Sequence, residues 1–303
     1  MRLYLLELSI IIVNWNTGDL LNNCISSILD KINKNLSYEI IVVDNNSTDE
    51  SIELVRKNHS STGKLRIIEE KENHGFSKGN NIGVNNSNGQ YILFLNPDTI
   101  ILENSVEKML RFYKNNQKKM NIGILAPKLL NIDGSVQHSV NSFPMFSFNK
   151  IYKLFKNKFS KSAKKINYPH IIDWARGACL LISRDVGERL GFWNEEFPIY
   201  GEDLELCYRY KLHGYNTVYT PQISIIHHFN QSGKKRWSNI ESLITKRKSL
   251  KIFYEIYFSN RKFIFDETIS LLYNLIKYKI TKKNKFKANF LVNKILIKKS
   301  ILG

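Results

Sequence analysis

The chain has 303 residues, 43% hydrophobic and 24% charged, which suits a soluble globular protein of one large domain or one and a half. Its formal net charge is +18, and no run of 18 uncharged apolar residues occurs, so no transmembrane helix is expected. Three cysteines, odd in number and unpatterned, argue against a disulfide framework or a structural zinc site and for a reducing compartment, the cytoplasm. The opening Met1 to Glu7 is too short and lacks a small-residue cleavage site, so it does not read as a signal peptide.

Leu8 to Val13 is a continuous β-branched run and predicts a strand buried on both faces. Asn14 to Gly18 is a polar loop. Leu20, Leu21, Cys24, Ile25, Ile28 and Leu29 then recur at helical spacing. Glu39 to Asp44 predicts a second buried strand ending in a carboxylate. Ser47 followed by Glu50 has the form of a capping box, with a helix from near Thr48 to about Lys57. Leu65 to Ile68 reads as a strand, and Asn73 to Gly83 as a glycine-bearing turn leading into a helix. Tyr91 to Leu95 is a strand that must stop at Pro97, which cannot continue a ladder.

Asn96 and Asp98 lie two apart and share a face in an extended backbone. An amide oxygen beside a carboxylate suits a hard divalent cation, and the same three residues also suit a turn. A helix is expected near Ser105 to Asn115. Ile122 to Ala126 and Lys128 to Ile132 read as strands, the second turning back at Asp133-Gly134 to pair with Ser135 to Val140. Phe143 to Lys165 is basic and aromatic and reads as an insertion with short helices. Ile171 to Ile182 is a loop and a strand, and Ser183 to Leu190 a short helix. Tyr200 to Lys211 is a helix with acids in its first turn and bases in its last. Val218 to Thr220 and Ile223 to Ile226 are strands ending at His227-His228, and the pattern from Trp237 onward is helical.

Alternating strands and helices predict an α/β fold with a mostly parallel sheet covered on both faces. Ligands then bind beyond the carboxyl ends of the strands, where Asn14, Asp44, Asn96 and Asp98 fall. No Gly-X-Gly-X-X-Gly follows Val13, which removes a dinucleotide-dependent dehydrogenase. From Lys234 to Gly303 there are 18 Lys/Arg against 4 Asp/Glu, so most of the charge sits in the tail. Such a tail reads as a surface for anionic lipid or nucleic acid, or as a solvated face. The absence of a recognition motif weighs against nucleic acid.

Seven motifs stand in register: SIIIVNWN at Ser9 to Asn16, IVVDNNSTD at Ile41 to Asp49, NHGFSKGNNIG at Asn73 to Gly83, LFLNPD at Leu93 to Asp98, WARGAC at Trp174 to Cys179, GEDLELCYR at Gly201 to Arg209, and His227-His228. Together they resemble the family two glycosyltransferases with the GT-A fold, in the rhamnosyltransferase-like branch, over about residues 8 to 233. The resemblance implies a GT-A domain over 1–233, with a nucleotide-binding half over 1–120 and an acceptor-binding half over 121–233. Residues 234–303 would be a basic helical C-terminal extension. It also implies inverting transfer of a sugar, possible donors being UDP- or dTDP-linked, to a hydroxyl of a cell-surface glycan or lipid-linked acceptor.

The same resemblance distributes the roles. Asn96-Pro97-Asp98 is similar to the family's Asp-X-Asp motif. Asp98 is the surer ligand of Mg²⁺ or Mn²⁺, Asn96 a neutral departure, and His227 rather than His228 the late histidine ligand. Asp203 corresponds to the catalytic base and Glu202 lies beside it, although both also complement a helix N-terminus. Asp44 matches the carboxylate that reads a pyrimidine N–H. Asn14, Trp15, Asn16, Asn46, Lys78, Gly79, Asn80 and Asn96 would line the nucleotide-sugar, Gly79 by clearing space. Trp174, Arg176 and Gly177 would shape the sugar and acceptor pocket. The tail, residues 237–303, would meet an anionic membrane. A non-catalytic nucleotide-sugar binder and a nucleic-acid binder acting through the tail are the competing readings.

Overall fold

The structure is a computed structural model that describes residues 6–144, 167–197, 199–228 and 239–302. The expected insertion falls outside the described residues beyond Pro144, as does the stretch around Trp237. The chain divides into two compact units. One comprises 1–142, 167–198 and 202–235, and the other 143–166, 199–201 and 236–303.

The larger unit is built on one sheet. Strands β1 (Leu6–Asn14), β2 (Tyr38–Asp44), β3 (Leu65–Glu69) and β4 (Gly89–Leu95) run parallel in the order β3-β2-β1-β4. β1 is flanked on both sides, and Ile10, Ile11 and Ile12 are fully buried, as their unbroken β-branched run requires. Helix α1 (Asp19–Lys31) buries Leu21, Cys24, Ile25 and Ile28 at helical spacing. Helix α2 is Ser51–His59. Helix α3 (Gly75–Asn85) packs onto β1 through two glycines one turn apart. A Cβ on Gly83 would fall 2.3 Å from Ile11 Cγ2, and one on Gly79 would fall 2.9 Å from Val13 Cγ1.

Beyond β4 come β5 (Thr99–Ile101), helix α4 (Ser105–Met120) and β6 (Ile122–Leu130). Short strands β7 (Val140–Asn141), β8 (His170–Ile172) and β9 (Trp174–Ala175) precede β10 (Cys179–Ser183). Helices α5 (Arg184–Leu190) and α6 (Glu202–Leu212) and strand β11 (Asn216–His227) complete the unit. The sheet continues β4-β10-β6-β11-β5, with β8 also on β11, while β7 pairs with β9. β10 lies antiparallel between β4 and β6, so strands from before and after residue 120 interleave in one sheet.

Several boundaries differ from expectation. Ile122–Leu130 is one strand passing through Pro127, and Asn216–His227 is one strand carrying two register shifts, at Asn216/Thr217 and Thr220/Ser224. The return after Asp133-Gly134 makes a single bridge, Leu130 to Val136, and the chain then pairs with β9. The Ser47–Glu50 box does not form. Ser47 Oγ is drawn instead to Asp44 Oδ1 at 2.6 Å, and α2 begins at Ser51, whose hydroxyl donates to Asp49 Oδ1 at 2.5 Å.

The smaller unit contains helices α7 (Asn239–Tyr257), α8 (Asn260–Thr281) and α9 (Asn284–Leu302). Ser259 caps α8, accepting from the Lys262 N–H at 3.2 Å. Phe253, Tyr254, Phe263, Val292 and Leu296 are buried in it. A polar network lies among them: Arg247 pairs with Glu267 at 2.6 Å, Asn293 donates to Glu267, and Tyr254 donates to Asp266 at 2.6 Å. Among the described residues no helix is long and apolar enough to cross a membrane.

Candidate active site

The parallel register sets Asn14 beside Asp44 at the carboxyl ends of β1 and β2. Asn14 Nδ2 donates to Asp44 Oδ1 at 2.7 Å, and also reaches Ser47 Oγ at 3.0 Å and Ser51 Oγ at 2.9 Å. Asp44 Oδ2 accepts from the Ser47 N–H at 2.9 Å. Asp44 is therefore the hub of a buried network, with both carboxylate oxygens engaged by the protein itself. Asn16 sits at φ 54° and its side chain accepts the Thr48 N–H at 2.7 Å, closing the loop against the start of α2. Trp15 is half-buried, and Asn46 is exposed at φ 59°.

Asn45 was not singled out in the sequence. Its Nδ2 donates to the Gly75 carbonyl at 2.9 Å, and its buried Oδ1 has no partner. The close approach at Gly79 is to Val13 on β1 and to Asn45 just past β2. Asn80 is buried, donating to Phe76 O at 2.9 Å, and Lys78 is exposed on the same helix.

β4 ends at Leu95, and the Asn96 N–H donates to Ala178 O at 2.9 Å. Asn96 Oδ1 is buried without a partner. Asp98 is 7% exposed, and its Oδ1 lies 3.2 Å from His227 Nε2. β5 pairs antiparallel with β11, which sets Thr99 opposite His227 and brings the two ends together. The His228 N–H donates to Asp98 O at 2.8 Å. The other ring nitrogen of His227, Nδ1, is 2.7 Å from Gln137 Oε1.

Among the described residues no cluster of three or more His, Cys, Asp or Glu forms a ready cation cage. One carboxylate and one imidazole are in contact here, and an orphaned amide oxygen is carried two residues before the carboxylate, on Asn96. With Nδ1 donating to Gln137, Nε2 of the neutral ring carries a lone pair directed at a carboxylate oxygen, while the imidazolium form would donate to it as an ion pair. An imidazole nitrogen and a carboxylate oxygen 3.2 Å apart are donor types that fit a divalent cation.

Asp203 opens the third part of the site. Its Oδ1 accepts the Leu204 N–H at 2.8 Å and its Oδ2 the Gly177 N–H at 3.2 Å. Burial pushes its carboxyl up to about 6, opposed by those two N–H groups and by the Arg176 charge. Glu202 is raised well above the usual range by its own burial and by Asp203 beside it, and its Oε2 is buried without a partner. Burial lowers the Arg176 guanidinium, while Asp203 pulls it the other way. Trp174 is half-buried on β9, its indole N–H donating to Ser142 O at 3.1 Å. Gly177 lies against Trp193 and Asp203, where a Cβ would come 3.2 Å from the indole.

The sequence model of glycosyl transferase family 2 matches residues 9–189, which contain the Asn14–Asp44 and Asn96–Asp98 strand ends. The chain belongs to that family. It is a glycosyltransferase. A relative, the low-salt glycan biosynthesis hexosyltransferase Agl10 of Haloferax volcanii, is 30% identical over 225 residues, covering 73% of this chain and 67% of its own length. The rhamnosyltransferase WbbL of Escherichia coli K12 is 26% identical over 173 residues, 54% of this chain and 65% of its own. The chain spans 22% and 18% of the lengths of two further curated relatives. The mannosyltransferase PcManGT of Pyrobaculum calidifontis, solved with GDP-Man and Mn²⁺, superposes with a TM-score of 0.61 at 13% identity, covering 97% of this chain and 87% of that one. The fold is that of the GT-A glycosyltransferases.

Proposed function

We propose that the chain is an inverting, metal-dependent hexosyl- or rhamnosyltransferase. It moves a sugar from a UDP- or dTDP-linked donor to a hydroxyl of a growing cell-surface glycan or lipid-linked acceptor. The observation that carries this reading is the Asp203 carboxylate, oriented by the Gly177 and Leu204 N–H groups with its pKa pushed up by burial to about 6. Such a group is a base at neutral pH and is held in one orientation.

As the acceptor oxygen forms its bond to the anomeric carbon, its proton passes to Asp203. The bond from that carbon to the diphosphate breaks, and the electron pair leaves with the nucleoside diphosphate. One displacement inverts the configuration. Asn96, Asp98 and His227 would hold Mg²⁺ or Mn²⁺, which supplies charge neutralisation for the departing diphosphate. Asn45 Oδ1, unpartnered and one residue from Asp44, is the acceptor we assign to a pyrimidine N–H, with Asp44 bracing the loop around it. Trp174 and Arg176 flank the sugar and acceptor.

The smaller unit supports a second part of the proposal, peripheral contact with an anionic membrane at its cytoplasmic face. Phe265, Leu272, Ile276 and Ile280 are exposed along α8, and Leu291 and Ile295 along α9. Lys279, Lys283, Lys287, Lys294 and Lys298 interleave with them, and no acidic residue follows Glu267. An apolar face set among lysines complements anionic lipid.

The test of the enzymatic reading uses the full chain with a nucleotide-sugar panel, Mn²⁺ and a lipid-linked acceptor. Nucleoside diphosphate should be released and the product should carry the inverted anomer by NMR. A retained anomer removes the single-displacement mechanism. No release and no nucleotide binding across the panel removes the transferase reading.

A further inference from the structure

We propose that Gln137 is a positioning residue that holds His227 in the tautomer able to ligate the metal. The inference rests on the metal reading above and adds a residue to it. Gln137 lies 90 residues from His227 and is 7% exposed. Its Nε2 donates to His227 O at 3.2 Å and to Asn131 Oδ1 at 2.9 Å, while its Oε1 is 2.7 Å from His227 Nδ1.

The backbone carbonyl decides the arrangement. A carbonyl oxygen accepts and never donates, so the face of the Gln137 amide toward His227 O must be the NH₂. The amide oxygen then faces Nδ1, and Nδ1 must carry the hydrogen. In the neutral ring the lone pair consequently belongs to Nε2, the atom 3.2 Å from Asp98 Oδ1. One amide thus grips both the backbone and the ring of the same histidine, leaving it one tautomer and one ring orientation.

Gln137 is itself held from behind. Its N–H donates to Leu129 O at 2.8 Å, tying it to β6. Asn131, which accepts from Gln137, donates through Nδ2 to Ser135 Oγ at 2.9 Å, and the Asn131 N–H donates to Ser135 O at 2.8 Å. Ser135 in turn donates to Asp133 Oδ1 through its hydroxyl at 2.6 Å and its N–H at 2.9 Å. The Asp133-Gly134 turn pairs with β6 by only one bridge, and it carries the side chain that orients His227.

Partners of this kind behind a metal-bound histidine are worth 10- to 100-fold in metal affinity. The test measures Mn²⁺ affinity by calorimetry on the full chain for wild type, Gln137→Ala and His227→Ala. It is joined by nitrogen-15 NMR of labelled histidines at alkaline pH without metal. Gln137→Ala should weaken Mn²⁺ by about 10- to 100-fold. In wild type the His227 signal, assigned by its loss in His227→Ala, should show Nδ1 protonated, and in Gln137→Ala that preference should relax. Wild-type Mn²⁺ affinity in Gln137→Ala, with His227→Ala weakened, overturns the role of Gln137 and leaves the metal site standing. Unchanged affinity in His227→Ala overturns both. If Gln137→Ala does not fold, the wild-type spectrum still decides, because a protonated Nε2 in the neutral ring overturns the proposal by itself.

Discussion

The Gly177 N–H donates to Asp203 while the carbonyl of the next residue, Ala178, receives the Asn96 N–H at 2.9 Å. A single peptide step thus ties the proposed base to the strand end that carries the proposed metal ligands. β10 begins one residue later, with Cys179 paired to Leu95. The spacing between the proposed base and the proposed metal ligands is consequently tied to the register of β4 and β10.

Asp203 sets a pH limb. Its folded pKa of about 6 lies above the ordinary carboxylate value, so below pH 6 it is protonated and cannot accept the acceptor proton. The expected kcat/KM is level above about pH 7 and falls tenfold per unit below 6. Asp203→Asn should lower turnover by about 10²- to 10⁴-fold, flatten that limb and leave nucleotide affinity unchanged in a fluorescence titration. Lost nucleotide binding would assign Asp203 a structural role.

Asn96 offers a neutral oxygen where a second carboxylate would bind a cation more tightly. Asn96→Asp should therefore tighten Mn²⁺ several-fold in calorimetry, and Asp98→Asn should weaken it beyond detection. An unchanged affinity in Asn96→Asp places that oxygen outside the coordination sphere.

Asn45 supplies the unpartnered acceptor beside the β2 end. Asn45→Ala should weaken uridine or thymidine diphosphate by about tenfold, the worth of one hydrogen bond, with cytidine diphosphate affected less. Equal losses for all three nucleotides would indicate a general collapse of the loop.

The α3–β1 contact predicts a stability effect. In Gly83→Ala the new methyl would fall 2.3 Å from Ile11 Cγ2, so the helix must move outward. Overpacking of this kind costs about 1–3 kcal/mol, read as a lower Tm of several degrees. A Tm within one degree of wild type would mean the helix shifts at no cost.

On the smaller unit, Leu272→Glu with Ile276→Glu should reduce sedimentation of the full chain with phosphatidylserine vesicles by about tenfold or more. Binding should also fall as salt rises. Equal sedimentation of both proteins removes the membrane assignment.

Strands β1 to β4 were legible because each is an apolar run, β-branched or aromatic, between polar turns, and their carboxyl-end residues could be read at once. Asp98, His227 and Asp203 carry visible chemistry and a recognisable register. The network behind them was not visible. Ser47 looked like half of a capping box because nothing local shows that Asp44 and Asn14 compete for it. Gln137 looked like one more residue in a hairpin, since its partner lies 90 positions away. Asn45 was overlooked between Asp44 and Asn46. Pro127 suggested a break in β6, yet the strand passes straight through it.

The interleaved position of β10 governs how the chain reaches its native state. β4 buries Tyr91 to Leu95 and gains its second neighbour only from residues 179–183. A nascent or truncated chain ending near Met120 would present that apolar edge to solvent, open to pairing with another copy. Completion of the sheet therefore waits for a contact of long sequence separation, which slows folding. Fragments of this protein cut between its halves should aggregate, and refolding should require the chain through β11.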